Sequence, residues 1–509
     1  MRNRRGQLCA AALVLAVTLS GCGETPVVTP TVTPSPAPTV APVKEMTFAL
    51  PYSVAGGIHP ITGKNRVNLT LAPLLYRGLF YLEGFAAKPD LCESYEVSED
   101  GLTWTFTLIM AEFSDGSPLT AKEVAASLNQ ARKTERFSTR LRDVKSVAAA
   151  GETVVVTLVR PNGHLPALLD VPVVKETVDP ALPLGTGPYY LMGEDVTGRN
   201  EWTLVARDGT EVPLETIPLR TIGSGDDLIS AFDAGEISLV DNDLTGTNAL
   251  GFSGRFETTD YPTSTLLYVG MNSGNRNSLC RELPVRQAVA RCVDREQVVS
   301  RLLAGHGVAS DLLIHPNAMT ISWEKVGYDL ERAAEILIGA GWSRGDEGVW
   351  QKGRTRLALR FLVNQDNSAK IAAAEALSAE LESLGCEINL ERLPWEDFVA
   401  ALEKGDFDLY LGECVMTADF DVEPLVRTGG SLNYGKYSDK ELDEAVEAWR
   451  IQGDQQTAQT LFPAIAEKAP LVPICFKNGS VLTQWGQVSG LRPTQRNVFD
   501  HFGHWKIRE

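Results

Sequence analysis

Few side chains in this 509-residue sequence stand at spacings that catalysis or metal binding would require. His501 and His504 lie three apart, which on a helix puts two imidazoles on one face where they could share a ligand, or simply leaves them solvated near the chain end. Gly63-Lys64 invites comparison with a phosphate loop. That loop needs four residues between its glycines and a Ser or Thr after the lysine, whereas Ile58 to Thr62 separate Gly57 from Gly63 and Asn65 follows Lys64. No G-x-S-x-G elbow and no H-E-x-x-H zinc helix occurs. A catalytic triad is recognised by geometry rather than by order in the chain, so an exported hydrolase stays open. Cys92, Cys280, Cys292, Cys386, Cys414 and Cys475 lack C-x-x-C spacing and are expected to be mostly free or core thiols, although an exported chain could oxidise a pair. The acidic run Asp419, Asp421 and Glu423 reads by itself as a solvated loop.

The elements that must position such residues are clearest between Val97 and Arg132. Leu102 to Leu108 alternates apolar and β-favouring residues at period two, the pattern of a strand with one buried face. Glu99-Asp100-Gly101 marks a turn before it. Phe113 to Pro118 carries Asp-Gly and Ser-Pro turn signals after it. Thr120 and Glu123 then form a capping-box pattern, opening a helix with Val124, Leu128 and Ala131 on its apolar face. Further strands are expected at Met46–Leu50, Thr153–Leu158, Glu387–Leu390 and Phe407–Gly412. Helices are expected at Ile229–Ile237, Val285–Arg295, Ala372–Leu384 and Asp439–Trp449, the third stopped by Gly385. Strands alternating with helices argue for α/β architecture with mostly parallel sheets.

Composition narrows the partners. The 65 acidic and 47 basic residues give a net charge of −18, which argues against nucleic acid and anionic lipid headgroups. Length alone predicts more than one domain. Arg2, Arg4 and Arg5 followed by the apolar run Leu8–Val17 read as an export signal too short to span a bilayer in the mature protein. Leu19-Ser20-Gly21-Cys22 has the form of a lipobox, which predicts a leader over 1–21 and lipid on Cys22 as the membrane anchor. The Thr/Pro-rich stretch to Val43 is expected to be an extended tether over 22–43.

The central stretch resembles the signature of the family 5 extracellular solute-binding proteins of bacterial ABC transporters, the family of oligopeptide-, dipeptide- and nickel-binding proteins. Asp100, Gly101, Trp104, Phe106, Leu108, Phe113, Asp115, Gly116, Pro118, Thr120, Ala121, Glu123 and Val124 match it. Leu74–Phe80 and Pro89–Ser94 are similar to two further family blocks, with Arg77 and Cys92 as departures. Gly185-Thr186-Gly187-Pro188-Tyr189, the helix from Val285 and Ala469–Ile474 match others. The likeness runs from Met46 to about Phe476.

The resemblance implies a two-lobed periplasmic-binding-protein-like fold of the large class II type, closing about its ligand by hinge motion. Lobe one would comprise 44–66, 179–263 and 479–509, with an inserted subdomain at 67–178 and lobe two at 264–478. It further implies a monomeric receptor without cofactor or catalysis, on the outer face of the cytoplasmic membrane or in the periplasm. Such a receptor would hand a small solute, first of all an oligopeptide, to a permease and its ATPases. A nickel chelate is the alternative within the family, with His306 and His315 as weak pointers. By the same resemblance Asp419 would receive a ligand ammonium, with Asp421 or Glu423 as alternatives, because Glu413 and Cys414 interrupt the family's loop after Gly412. Trp395 would wall the cleft, and Tyr268 and Asn272 would sit on its crossing strand.

Overall fold

The computed structural model describes residues 47–508 apart from 54, 56, 180–181, 197–198 and 346. The leader, Cys22 and the tether lie outside the described residues.

The strand Thr103–Leu108 buries Trp104 and Phe106 on one face, as its alternation requires. It pairs antiparallel with Cys92–Val97 on one side and with Thr153–Leu158 on the other, and Val144–Ala150 completes a four-stranded sheet. Behind it the Asp115 side chain accepts the Ser117 N–H and Gly116 takes φ +79°, which turns the chain. Thr120 and Glu123 close a capping box on the helix Ala121–Ala131. That helix presses Val124, Leu128 and Ala131 into the same core.

A second four-stranded sheet combines Leu50–Ser53, Thr216–Ile222, Arg199–Ala206 and Tyr189–Val196. Its buried residues form one apolar cluster with those of the first sheet and with the C-terminal segment, where the Phe48 and Phe502 rings lie 6.3 Å apart. The third sheet has seven strands, built from Leu239–Asn242, Leu471–Gln484, Phe256–Met271, Leu409–Val415, Ala358–Asn364 and Glu387–Leu393, with Gly307–Ala309 paired to Leu471–Gln484. Helices Leu283–Arg291, Leu330–Gly339 and Ser368–Leu384 pack on one face, and Lys440–Gln452 and Gln455–Lys468 on the other.

The expected predominance of parallel pairing is corrected by the structure. Among the described strands only Leu50–Ser53 with Thr216–Ile222, and Ala358–Asn364 with its two neighbours, run parallel. The reason is that Phe256–Met271 and Leu471–Gln484, the two longest strands, pair antiparallel along most of their length and impose that direction on the sheet. Winding of the βαβ kind is therefore confined to Ala358–Asn364, Glu387–Leu393 and Leu409–Val415, joined by the helices Ser368–Leu384 and Trp395–Lys404. The expected helix from Ile229 begins earlier, at Gly225 with Ser224 as its cap, and the strand expected at Met46–Leu50 is Leu50–Ser53.

The Gly-Thr-Gly motif has a packing explanation. A Cβ on Gly185 would stand 2.0 Å from the Leu75 carbonyl oxygen and one on Gly187 2.4 Å from the Leu75 carbonyl carbon, while the Gly187 N–H donates to the Leu75 oxygen at 2.9 Å. The backbones touch where only hydrogen fits. Gly185→Ala is expected to destabilise the protein by about 1 to 3 kcal/mol, the range for overpacking. Urea unfolding checks this: the midpoint should fall with little change in slope.

Candidate functional site

After Val415 the chain leaves the sheet, and residues 416–423 form a compact loop. The Met416 N–H donates to the Ser264 oxygen, the Phe420 N–H to the Thr417 oxygen, and the Glu423 N–H to Asp421 Oδ1. Phe420 sits at φ +49°, uncommon for an aromatic residue. Its ring is held 5.3 Å from Phe85 and 6.0 Å from Phe476. Asp419, directly before it, is 7 % exposed.

The facing wall comes from residues 139–168, more than 250 positions earlier in the chain. Arg142 Nη2 reaches Asp421 at 2.5 Å and Glu423 at 2.9 Å, and Arg160 grips both oxygens of Glu423 while also reaching Asp143 at 2.8 Å. Arg427 adds a third guanidinium to Glu423. His164 Nε2 lies 3.0 Å from the Trp449 oxygen, the Gly163 N–H donates to the Arg450 oxygen, and Arg450 donates to the Pro161 oxygen. The two walls meet by ion pairs and backbone hydrogen bonds.

Between them is a chamber of about 10 Å³, room for one water molecule. Arg140 Nε, Thr417 Oγ1, Asp419 Oδ1, Trp449 Nε1 and Arg450 Nε line it or its immediate surround, all buried and all without a hydrogen-bond partner. Buried polar atoms left so carry a penalty of about 1 to 3 kcal/mol each. Asp419 supplies the carboxylate of this set. Burial first, and then the charge of Asp419, push the Asp421 carboxyl up to about 6 despite Arg142. Burial would also raise Glu423, but the hydrogen bonds from Arg160 and Arg427 and the charges of Arg160 and Arg142 outweigh it and hold the group at about 2. Burial pulls His164 below its ordinary range, and Asp419 opposes that shift.

The other residues singled out in the sequence lie apart from this chamber. Tyr268 is buried in the strand Phe256–Met271 opposite Gly412, with its hydroxyl 3.3 Å from that of Tyr410. A Cβ on Gly412 would come 2.6 Å from the Tyr268 ring, so this glycine makes room for the tyrosine. The Asn272 amide donates to the Gly405 and Phe407 oxygens and its Oδ1 accepts the Asn275 N–H, which pins the end of the strand. Trp395 opens the helix Trp395–Lys404, 59 % exposed, with its ring 6.0 Å from Phe398.

His306 bonds Asp260, and His315 is fully buried between Phe85 and Phe476, where burial lowers it to about 4. The His501 and His504 rings are 6.2 Å apart. Among the described residues no cluster of three or more His, Cys, Asp or Glu side chains is arranged to hold a metal, all six described cysteines are free, and no helix is long and apolar enough to cross a membrane. Arg142, Arg160, His164, Trp449 and Arg450 went unnoticed in the sequence because their partners are remote and no local pattern marks them.

The Glu423 network generates a pH prediction. Because its folded carboxyl lies below the unfolded value, its contribution is present above about pH 4.5 and is lost as pH falls toward 2. Glu423→Gln should cost on the order of 2 to 3 kcal/mol at pH 7. Thermal melts of both proteins from pH 7 to pH 3 should show the gap closing as the medium becomes more acidic.

Comparison with known proteins agrees with this architecture. The family model for bacterial extracellular solute-binding proteins, family 5 Middle, matches residues 86–434. The oligopeptide-binding protein AppA of Bacillus subtilis is 25 % identical over 447 residues, 78 % of this chain and 79 % of AppA. The glutathione-binding protein GsiB of Salmonella typhimurium is 24 % identical over 460 residues, 82 % of this chain and 86 % of its own. The crystal structure of a nickel ABC transporter protein from Bacillus halodurans superposes with a TM-score of 0.75 at 20 % identity, over 89 % of this chain and 98 % of that one, which shows a shared fold. The match over residues 86–434 establishes that the chain belongs to the bacterial extracellular solute-binding proteins of family 5.

Proposed function

We propose that this family 5 protein is a lipid-anchored extracytoplasmic receptor that captures an oligopeptide and delivers it to an ABC permease and its ATPases. Cys22 carries the lipid, and the anchored protein works as a monomer. Lobe one is formed by 44–66, 179–263 and 479–509, the inserted subdomain by 67–178, and lobe two by 264–478. The ligand closes the lobes on each other.

The observation that carries the reading is the free oxygen of Asp419 in a chamber walled from both sides. Arg140 faces Asp170, Arg142 faces Asp421 and Glu423, and Arg450 faces Glu447. Asp419 is the acid there with no ion pair among the described residues, so a ligand ammonium meets an uncompensated carboxylate. Trp395 offers an exposed aromatic surface that can pack on varied side chains without selecting one sequence. Oligopeptide binding by AppA supports the solute class.

Incubation with a defined peptide mixture, followed by native mass spectrometry, tests the function. Intact retained peptides support the receptor, and cleaved products would instead indicate a hydrolase. Calorimetry on a retained peptide tests the residue: Asp419→Asn should cost about 2 to 5 kcal/mol for the free amine and little for its N-acetylated form. Binding of the free amine within threefold of wild type would remove Asp419 from the ammonium site.

A further inference from the structure

The walls of the Asp419 chamber bring more acids than bases into one enclosed seam. Asp419, Asp421 and Asp143 line it, and Glu423 stands behind them. Three guanidinium groups answer these four carboxylates: Arg142 is divided between Asp421 and Glu423, Arg160 between Asp143 and Glu423, and Arg427 goes to Glu423 alone. Arg140 and Arg450, which also line the chamber, are engaged by Asp170 and Glu447. His164 adds no compensating charge, because burial favours its neutral form and its Nε2 is occupied by the Trp449 oxygen.

Asp419 is the acid left over, 7 % exposed, with nothing bonded to Oδ1. A buried carboxylate without a counterion is costly, and where two carboxylates share a site the first proton is held more firmly than either alone would hold it, since it removes their repulsion. Asp421 carries the mark of such a pair, raised to about 6 by burial and then by the charge of Asp419. Both of its oxygens are engaged, Oδ1 by the Glu423 N–H and Oδ2 by Arg142. The oxygen open to a proton is therefore Asp419 Oδ1. The chamber of about 10 Å³ admits nothing larger than a water-sized group beside it.

We propose that Asp419 and Asp421 share one proton in this arrangement, and that capture of a cationic solute group exchanges the proton for that cation. The exchange rests on the receptor reading and deepens it. In the step the carboxyl O–H bond breaks, the proton passes to water, and ammonium N–H groups take its place on the freed oxygen, so the charge enclosed is unchanged. Since the Asp421 carboxyl lies above its ordinary value, its ionisation costs this arrangement stability above about pH 6, and that cost is withdrawn as the pH falls through 6.

The test begins without any peptide, on the full folded protein with carbon-13 in its aspartate carboxyls, followed by NMR against pH. An Asp421 resonance should titrate near pH 6, and Asp419→Asn should move it down by about 1 unit. Ammonium chloride, whose cation is the size of water, should depress the wild-type midpoint, and tetramethylammonium chloride at equal strength should not. Calorimetry of a retained free-amine peptide at about pH 5.5, in buffers of different protonation heat, should show release of most of one proton and an affinity that rises about tenfold from pH 5 to pH 7. The N-acetylated peptide should release none.

A midpoint at the ordinary carboxylate value, or one near 6 that neither Asp419→Asn nor ammonium moves, overturns the shared proton whatever the solute. Should Asp419→Asn fail to fold, the ammonium arm on wild type decides. A midpoint near 6 depressed by ammonium, with no peptide retained, supports the proton-for-cation exchange and overturns the oligopeptide reading. Peptide retained without proton release overturns the exchange and leaves the receptor standing.

Discussion

The antiparallel pairing of Phe256–Met271 with Leu471–Gln484 is the constraint on which the rest of the molecule depends. Tyr261 and Val481 belong to the apolar cluster of the first two sheets, while Leu267, Val269, Val472 and Cys475, further along the same strands, belong to that of the third. The ladder slips in register between Pro262 and Leu266, where Pro262 cannot donate. Around that break the Thr263 hydroxyl donates to the Lys477 oxygen and the Ser264 N–H to Gln495 Oε1. Two cores are thus tied by a pair of strands whose regular pairing is interrupted near where they pass from one to the other. Such an irregularity is where a hinge would be expected to absorb motion.

What lies across the cores away from these strands is largely polar. Lys477, almost fully buried, contacts Asp243 at 3.3 Å and Glu413 at 3.2 Å, and Asn367 donates to the Thr245 oxygen. Arg142 and Arg160 make the corresponding contacts to Asp421 and Glu423. Parting such ion pairs would return their charges to water, and that regained solvation offsets part of what the pairs contribute, unlike an apolar face of similar extent. The apolar exception is the packing of Phe85 against His315 and Phe420.

Much of the local structure was legible because its causes are local. The Thr120–Glu123 capping box, the alternation over Thr103–Leu108 and the left-handed Gly385 after Leu384 are each fixed within a few residues, and each appears where the sequence puts it. Strand direction was not, since the antiparallel order follows from two strands about 200 positions apart. The seam was hidden for the same reason: Arg142 meets Glu423 across 281 positions, and an arginine in an ordinary strand or loop carries no sign of its partner. Asn272 and Gly412 stood out by family pattern, and their geometry gives each a packing role that the pattern alone did not distinguish from ligand contact.

The chamber beside Asp419 bears on why closure and capture would be linked. Were the walls to part, as the proposed function has it, water would solvate Arg140, Thr417, Asp419, Trp449 and Arg450. With the walls together, five polar atoms stay unpartnered around a space sized for one water, and one water makes at most four hydrogen bonds. This arrangement therefore gains the Glu423 ion pairs and loses part of this solvation, two terms of opposite sign. A ligand can shift such a balance only by interacting differently with the two states. On the proposed reading a ligand ammonium would do so, because Asp419, which lines that space, has no ion pair among the described residues. On that reading, polarity at the seam rather than apolar complementarity would make closure conditional on what is enclosed.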